Sequence, residues 1–131
     1  MHSVDALLQY MQQHDLDAFF LAKKPNVRYI SGYTGDDSYL LITKDRFFFL
    51  TDPRYTEQVA QECPDYEIVL WKNYGSIGEC VADLAQQQHL QSIGFEADAL
   101  SYLFYSQLEK NVKAQLVATT DVVETFRSIK T

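Results

Sequence analysis

The chain has 131 residues, which suits one domain that buries roughly two thirds of its unfolded surface. Hydrophobic residues make up 47% and aromatic residues 14%, enough for a sizeable core and too much for a disordered segment. A formal charge of −7, with no basic stripe, excludes nucleic acid and anionic membrane as natural partners. Cys63 and Cys80 stand far apart, which is neither a disulfide framework nor a CxxC metal site, so a reduced compartment is expected. Residues 1–5 lack a basic flank and an apolar signal core, and no apolar run approaches the ~18 residues of a membrane span. Together these features predict a cytoplasmic protein.

Ser3 can cap a first helix whose apolar positions are Val4, Leu7, Leu8 and Met11. Residues 16–22 form a compact apolar run that reads as a central strand. Lys23, Lys24 and Pro25 break it, and a short helix starts at Pro25 and Asn26 and ends at Gly32. Thr34, Gly35, Asp36, Asp37 and Ser38 make a polar loop. Residues 39–43 and 46–51 are two strand-length runs joined by Lys44 and Asp45, a hairpin buried on at least one face. Asp52 can cap the next helix, with Pro53 at its first position, and the residue before Pro64 closes it at Cys63.

Residues 66–71 read as a further strand that ends at Trp71. Ser76 and Glu79 carry a capping-box signature for a helix buried through Ile77, Cys80, Val81 and Leu84. Residues 92–96 are a short strand, Ser101 opens a helix with Leu103, Phe104 and Leu108 toward the core, and residues 115–119 are the last strand. Asp121 caps a final segment with Val122, Val123, Phe126 and Ile129 on one face. Strands alternating with helices, plus one hairpin, predict an α/β domain with a mixed sheet covered by helices. The last amphipathic pattern stops at Thr131 with no cap, which leads us to expect further polypeptide beyond it.

Metal-dependent hydrolysis needs several His, Asp or Glu ligands converging on an open site. His2, His14 and His89 are the only histidines, none at HxxxH or HxxE spacing, so no metal site is expected in this chain. Asp36 and Asp37 are the one close acidic pair in a loop. They read as an acid/base pair, as a cation clamp, or as turn residues whose carboxylates satisfy nearby N–H groups. Asp52, Arg54 and Tyr55 lie together as a catalytic group would, but read more simply as a cap with a pairing arginine, and Arg28 as a surface residue able to grip a peptide carboxylate. Trp71, ahead of Tyr74 and Gly75, reads equally as core or as an exposed aromatic anchor. No GxSxG, P-loop or GxGxxG motif occurs.

Residues 26–35 (NVRYISGYTG), 39–43 (YLLIT), 50–58 (LTDPRYTEQ) and 126–130 (FRSIK) resemble, in this order, the N-terminal domain of the creatinase/prolidase family. The likeness is greatest to its Xaa-Pro aminopeptidases and Xaa-Pro dipeptidases. It implies a mixed sheet of about six strands with flanking helices, joined to a separate C-terminal "pita-bread" catalytic domain that this chain does not contain. In such proteins two Asp, one His and two Glu of that second domain hold two divalent metal ions, often manganese, which activate a water to cleave before proline. The resemblance further implies a homodimer in which loops of this domain border the partner's cleft and restrict access to short proline-containing peptides. Gly35, Asp36, Asp37 and Ser38 would form that rim, with Trp71 and Tyr74 a second candidate. The two acids stand where Gly- and Ser-richer residues are common, and Pro53 is unusual between Asp52 and Arg54. Two other readings remain: the same domain of a creatine-type amidinohydrolase, and a stand-alone α/β interaction module.

Overall fold

The computed structural model describes residues 3–128. Helix α1 (Ser3–Gln13) leads to strand β1 (Ala18–Leu21), α2 (Lys24–Ser31), β2 (Tyr39–Thr43) and β3 (Phe47–Thr51). A 3-10 turn (Pro53–Tyr55) runs into α3 (Thr56–Glu62), followed by β4 (Glu67–Leu70) and a second 3-10 turn (Trp71–Tyr74). The chain continues through α4 (Ile77–Gln87), β5 (Ser92–Glu96), α5 (Tyr102–Asn111), β6 (Gln115–Thr119) and α6 (Val122–Ser128).

The six strands form one mixed sheet in the order β4-β3-β2-β1-β5-β6. β1 pairs parallel with β5, β5 with β6 and β3 with β4, while β2 runs antiparallel to both of its neighbours. Five strands therefore end at the same edge of the sheet, and β2 begins there.

Alternation along the strands divides the core in two. Phe19, Leu21, Leu40, Ile42 and Phe49 face α1, α2, α3 and α6 through Leu7, Met11, Val27, Ile30, Val59 and Val123. Phe20, Leu41, Phe48, Leu50, Ile93 and Phe95 face α4 and α5 through Cys80, Val81, Leu84, Leu108 and Val112. Each fully buried aliphatic or aromatic side chain contributes about 1.5–3 kcal/mol by leaving water. The hairpin is buried on both faces, as its near-continuous apolar runs require of central strands.

Short-range chemistry fixes the element ends. Asp52 Oδ1 accepts from Arg54 N at 3.0 Å, Ser76 Oγ from Glu79 N at 3.1 Å and Ser101 Oγ from Phe104 N at 3.0 Å. Gly32 closes α2 at φ +81°, and its N–H donates to Arg28 O at 2.7 Å.

Four expectations need correction. Leu103 is 70% exposed rather than buried. The inward stripe of α5 runs through Phe104, Leu108 and Val112, which puts Leu103 in line with the exposed Gln107 and Lys110. Trp71 does not end a strand, because the chain turns into the 3-10 segment there. Arg46 lies outside β3, in the turn, where its N–H donates to the Thr43 hydroxyl at 2.9 Å and its carbonyl accepts from Thr43 N at 2.8 Å. Asp121 heads α6 at φ +58° and accepts from Thr125 N through its backbone carbonyl. Ile129 lies outside the described residues.

Candidate functional site

The edge where the five parallel strands end carries a row of charged side chains, among them the Asp36, Asp37, Asp52 and Arg54 singled out from the sequence. Across the sheet, from the β4 side to the β6 side, stand Lys72, Asp52 with Arg54, the Asp36–Asp37 loop, Lys24 with Lys23, Glu96 with Asp98, and Glu124. Loops at the carboxyl ends of strands in open α/β sheets are the usual place for ligand contacts.

The loop of Gly35, Asp36, Asp37 and Ser38 is carried on a rigid base. Ser38 is buried, and its hydroxyl hydrogen-bonds the buried Thr51 hydroxyl at 3.3 Å. Asp36 forms an ion pair with Lys24 at the start of α2. Asp37 is exposed, takes a left-handed backbone (φ +55°), and makes no side-chain hydrogen bond or ion pair among the described residues. Aspartate tolerates this conformation better than most residues. The loop, Lys24, Val27 and Tyr39 enclose a depression of about 270 Å³.

Beside it, Asp52 is only 5% exposed and is held from both sides. Its Oδ2 pairs with Lys72 Nζ at 2.7 Å, and its Oδ1 accepts from Arg54 N and Nε, both at 3.0 Å. The hydrogen bond from Lys72, then those from the Arg54 backbone and side chain, hold the Asp52 carboxyl well below the usual carboxylate range. The Arg54 guanidinium lies 5.1 Å from the Tyr55 ring centroid, and Tyr55 packs against the core. Trp71 and Tyr74 are half-buried against the second core, and Lys72 Nζ sits 5.7 Å from the Trp71 ring centroid.

On the other flank, the buried Glu96 accepts from Ala22 N at 2.8 Å, Lys23 N at 2.9 Å and Asn26 Nδ2. Lys23 Nζ bridges Asp98 at 2.7 Å and Glu124 at 2.5 Å, which ties α6 to the start of α2.

The structure thus gathers Gly35, Asp36, Asp37, Ser38, Asp52, Arg54, Tyr55, Trp71 and Tyr74 along one edge. Arg28 is exposed on α2 and does not line the depression. Lys24, Lys72 and Glu96 belong to the same edge but were not singled out from sequence. The Lys23-Lys24 pair before Pro25 was the one local signal; a buried glutamate at a strand end looks like an exposed one. Among the described residues, no group of three or more His, Cys, Asp or Glu side chains is placed to hold a metal ion. His14 and His89 are exposed at the ends of α1 and α4, and His2 lies outside the described residues. No helix among the described residues is long and apolar enough to cross a membrane.

A mixed six-stranded α/β/α domain with a charged, loop-built edge is the class this geometry defines. The chain matches the Creatinase/Prolidase N-terminal domain over residues 4–129 and belongs to that family. It is 30% identical over 128 residues to the uncharacterized peptidase YqhT of Bacillus subtilis, a match covering 97% of this chain and 36% of that protein. The Xaa-Pro dipeptidase from Bacillus anthracis superposes with a TM-score of 0.90 at 33% identity, over 98% of this chain and 36% of that one. The N-terminal domain of cytoplasmic peptidase PepQ from Mycobacterium tuberculosis superposes with a TM-score of 0.85 at 28% identity, over 95% of this chain and 98% of that one. The chain therefore spans about a third of the length of the full-length relatives it matches.

Proposed function

We propose that this chain is the N-terminal domain of a metal-dependent Xaa-Pro peptidase, shaping access to a catalytic centre carried by a separate C-terminal domain. The observation that carries this reading is the match along nearly the whole chain to about one third of a peptidase and of an Xaa-Pro dipeptidase. In this division of labour two divalent ions, manganese by expectation, are held by the C-terminal domain and activate the attacking water. The present domain supplies rim and contact surface. Gly35, Asp36, Asp37 and Ser38, with Trp71 and Tyr74 beside them, border the cleft of the partner subunit in a homodimer and admit short proline-containing peptides. Their position on one sheet edge, mounted on Thr51, Asp52 and α2, supports that role. The setting is cytoplasmic, as for the PepQ relative, with no membrane or nucleic-acid partner.

The test compares the full-length gene product with the 131-residue chain. The full-length protein should hydrolyse Xaa-Pro dipeptides and leave creatine untouched, while the chain alone, with added manganese, should hydrolyse neither. Turnover of creatine in place of the dipeptides would replace this reading with an amidinohydrolase. Peptide turnover by the 131-residue chain would overturn the division of labour.

A further inference from the structure

We propose that Arg54 and Lys72, held side by side on the two oxygens of Asp52, form a binding site for the terminal carboxylate of a short zwitterionic peptide. Both cations lie at the sheet edge with 66% and 56% of their side chains exposed, while the carboxylate that orients them is buried. Arg54 is fixed at three points: its N–H and Nε bond Asp52, and its guanidinium stacks over Tyr55. Neither Nη nitrogen of Arg54 takes part in a hydrogen bond among the described residues, so the edge of the fork that matches a carboxylate is free. Lys72 uses one of its three donors on Asp52 and rests against Trp71. Because both side chains are already ordered, a ligand meets them with little further loss of conformational freedom.

Charge and size select the ligand class. Two cations over one carboxylate leave a single net positive charge, which suits a monoanion better than a phosphate dianion. Both donors are tied to one carboxylate, so they fit a small end group rather than an extended acidic surface. Asp37, exposed on the loop before β2 and without an ion-pair partner among the described residues, adds a negative charge to the same edge. A ligand that carries both a carboxylate and an ammonium therefore matches this edge better than a plain anion does.

The choice of a peptide rests on the peptidase reading above, but the experiment uses no catalysis. The 15N-labelled chain is titrated with Ala-Pro, Ala-Pro amide and sodium acetate at constant ionic strength. The reporters are the Arg54 Nε–H and the indole N–H of Trp71, the one tryptophan in the chain. Ala-Pro should shift both saturably, the amide and acetate should bind about tenfold more weakly, and Arg54→Gln and Lys72→Met should each weaken Ala-Pro by a similar factor. The second variant decides the matter if the first fails to fold. Equal affinity for acid and amide, equal affinity for acetate, or undiminished binding in the folded variants would overturn the site. Any of these would leave the activity test of the full-length protein standing.

Discussion

Gly35 rides on the Tyr33 side chain so closely that a Cβ there would lie 2.8 Å from ring carbon Cε2. The ring cannot retreat, because Tyr33 is 1% exposed and packs edge-on to Phe49 with 4.9 Å between centroids. Gly35→Ala should therefore cost about 1–3 kcal/mol by overpacking. A urea titration should give a lower midpoint with an unchanged slope. The atom nearest to such a Cβ is the phenolic oxygen, so Tyr33→Phe should recover part of the loss, a coupling that a double-mutant cycle reads directly.

The two aspartates of the same loop should behave differently from each other. Asp36 loses only an exposed ion pair with Lys24 when changed to Ala, so Asp36→Ala should leave stability within about 1 kcal/mol of the parent. Asp37 sits at φ +55°, where alanine is strained by about 1–2 kcal/mol and glycine is not. Thermal melts should place Asp37→Ala below Asp37→Gly. The reverse order would mean that the extra freedom of glycine in the unfolded chain outweighs the left-handed strain at this position.

Much of this architecture was legible in the sequence because it rests on chemistry a few residues apart. The strands at residues 92–96 and 115–119, the Gly32 stop, and the Asp52, Ser76 and Ser101 caps all follow from local pattern. The candidate edge was only half legible. The cap role of Asp52 follows from its own segment, but its bond to Lys72 joins the end of β3 to the turn after β4, and no pattern in either segment announces the pairing. The Lys23–Glu124 bridge spans 101 positions, and Glu96 reaches Ala22 across 74. Leu103 failed for a different reason: two adjacent apolar residues at 103 and 104 leave the inward face of a helix ambiguous until its packing partners are known.

Glu96 offers a test of a buried carboxylate that acts as structure. It holds the N–H groups of Ala22 and Lys23 where β1 gives way to α2. Glu96→Ala would leave both without an acceptor and should cost about 2–4 kcal/mol. Glu96→Gln keeps the oxygen for those two groups. Its new NH2 can be met by Asn26, whose buried Oδ1 has no partner and becomes the acceptor if the amide turns over. Chemical denaturation should rank the parent slightly above Glu96→Gln and far above Glu96→Ala. Equal losses for both variants would show that the negative charge, rather than the acceptor geometry, is what the fold needs.

Both thiols should be silent while the chain is folded. Burial pushes Cys80 up to about 12, and burial likewise raises Cys63, whose Sγ lies 3.4 Å from the Ser31 carbonyl. The thiolate is the form that attacks a thiol reagent, and burial keeps both groups protonated at pH 8 more fully than an exposed cysteine would be. We expect no labelling of the native chain within minutes, and two equivalents after unfolding in denaturant. Prompt native labelling of one equivalent would show that the α4 packing around Cys80 or the α3 end at Cys63 opens locally.

Acid should destabilise the chain through Asp52 in a window set by its partners. Its ordinary value is near 3.8, and Lys72 followed by Arg54 depresses the folded carboxyl well below the carboxylate range. A depressed folded value means that the unfolded chain takes up the proton first. The stabilisation is therefore complete above about pH 4–5 and is lost as pH falls toward the folded value. Glu67 beside Arg46, and Glu62 under the Thr34 N–H, are depressed too and add a loss of the same sign. Melting temperatures should be nearly level from pH 7 to 5 and should fall below pH 4. Asp52→Asn starts lower at pH 7 but should lose less on acidification, since the titrating group is gone. Lys72→Met removes the largest cause of the depression and should also flatten the fall. Parallel curves for the parent and Asp52→Asn would mean that the carboxylate clamping Arg54 and Lys72 contributes nothing to the acid response.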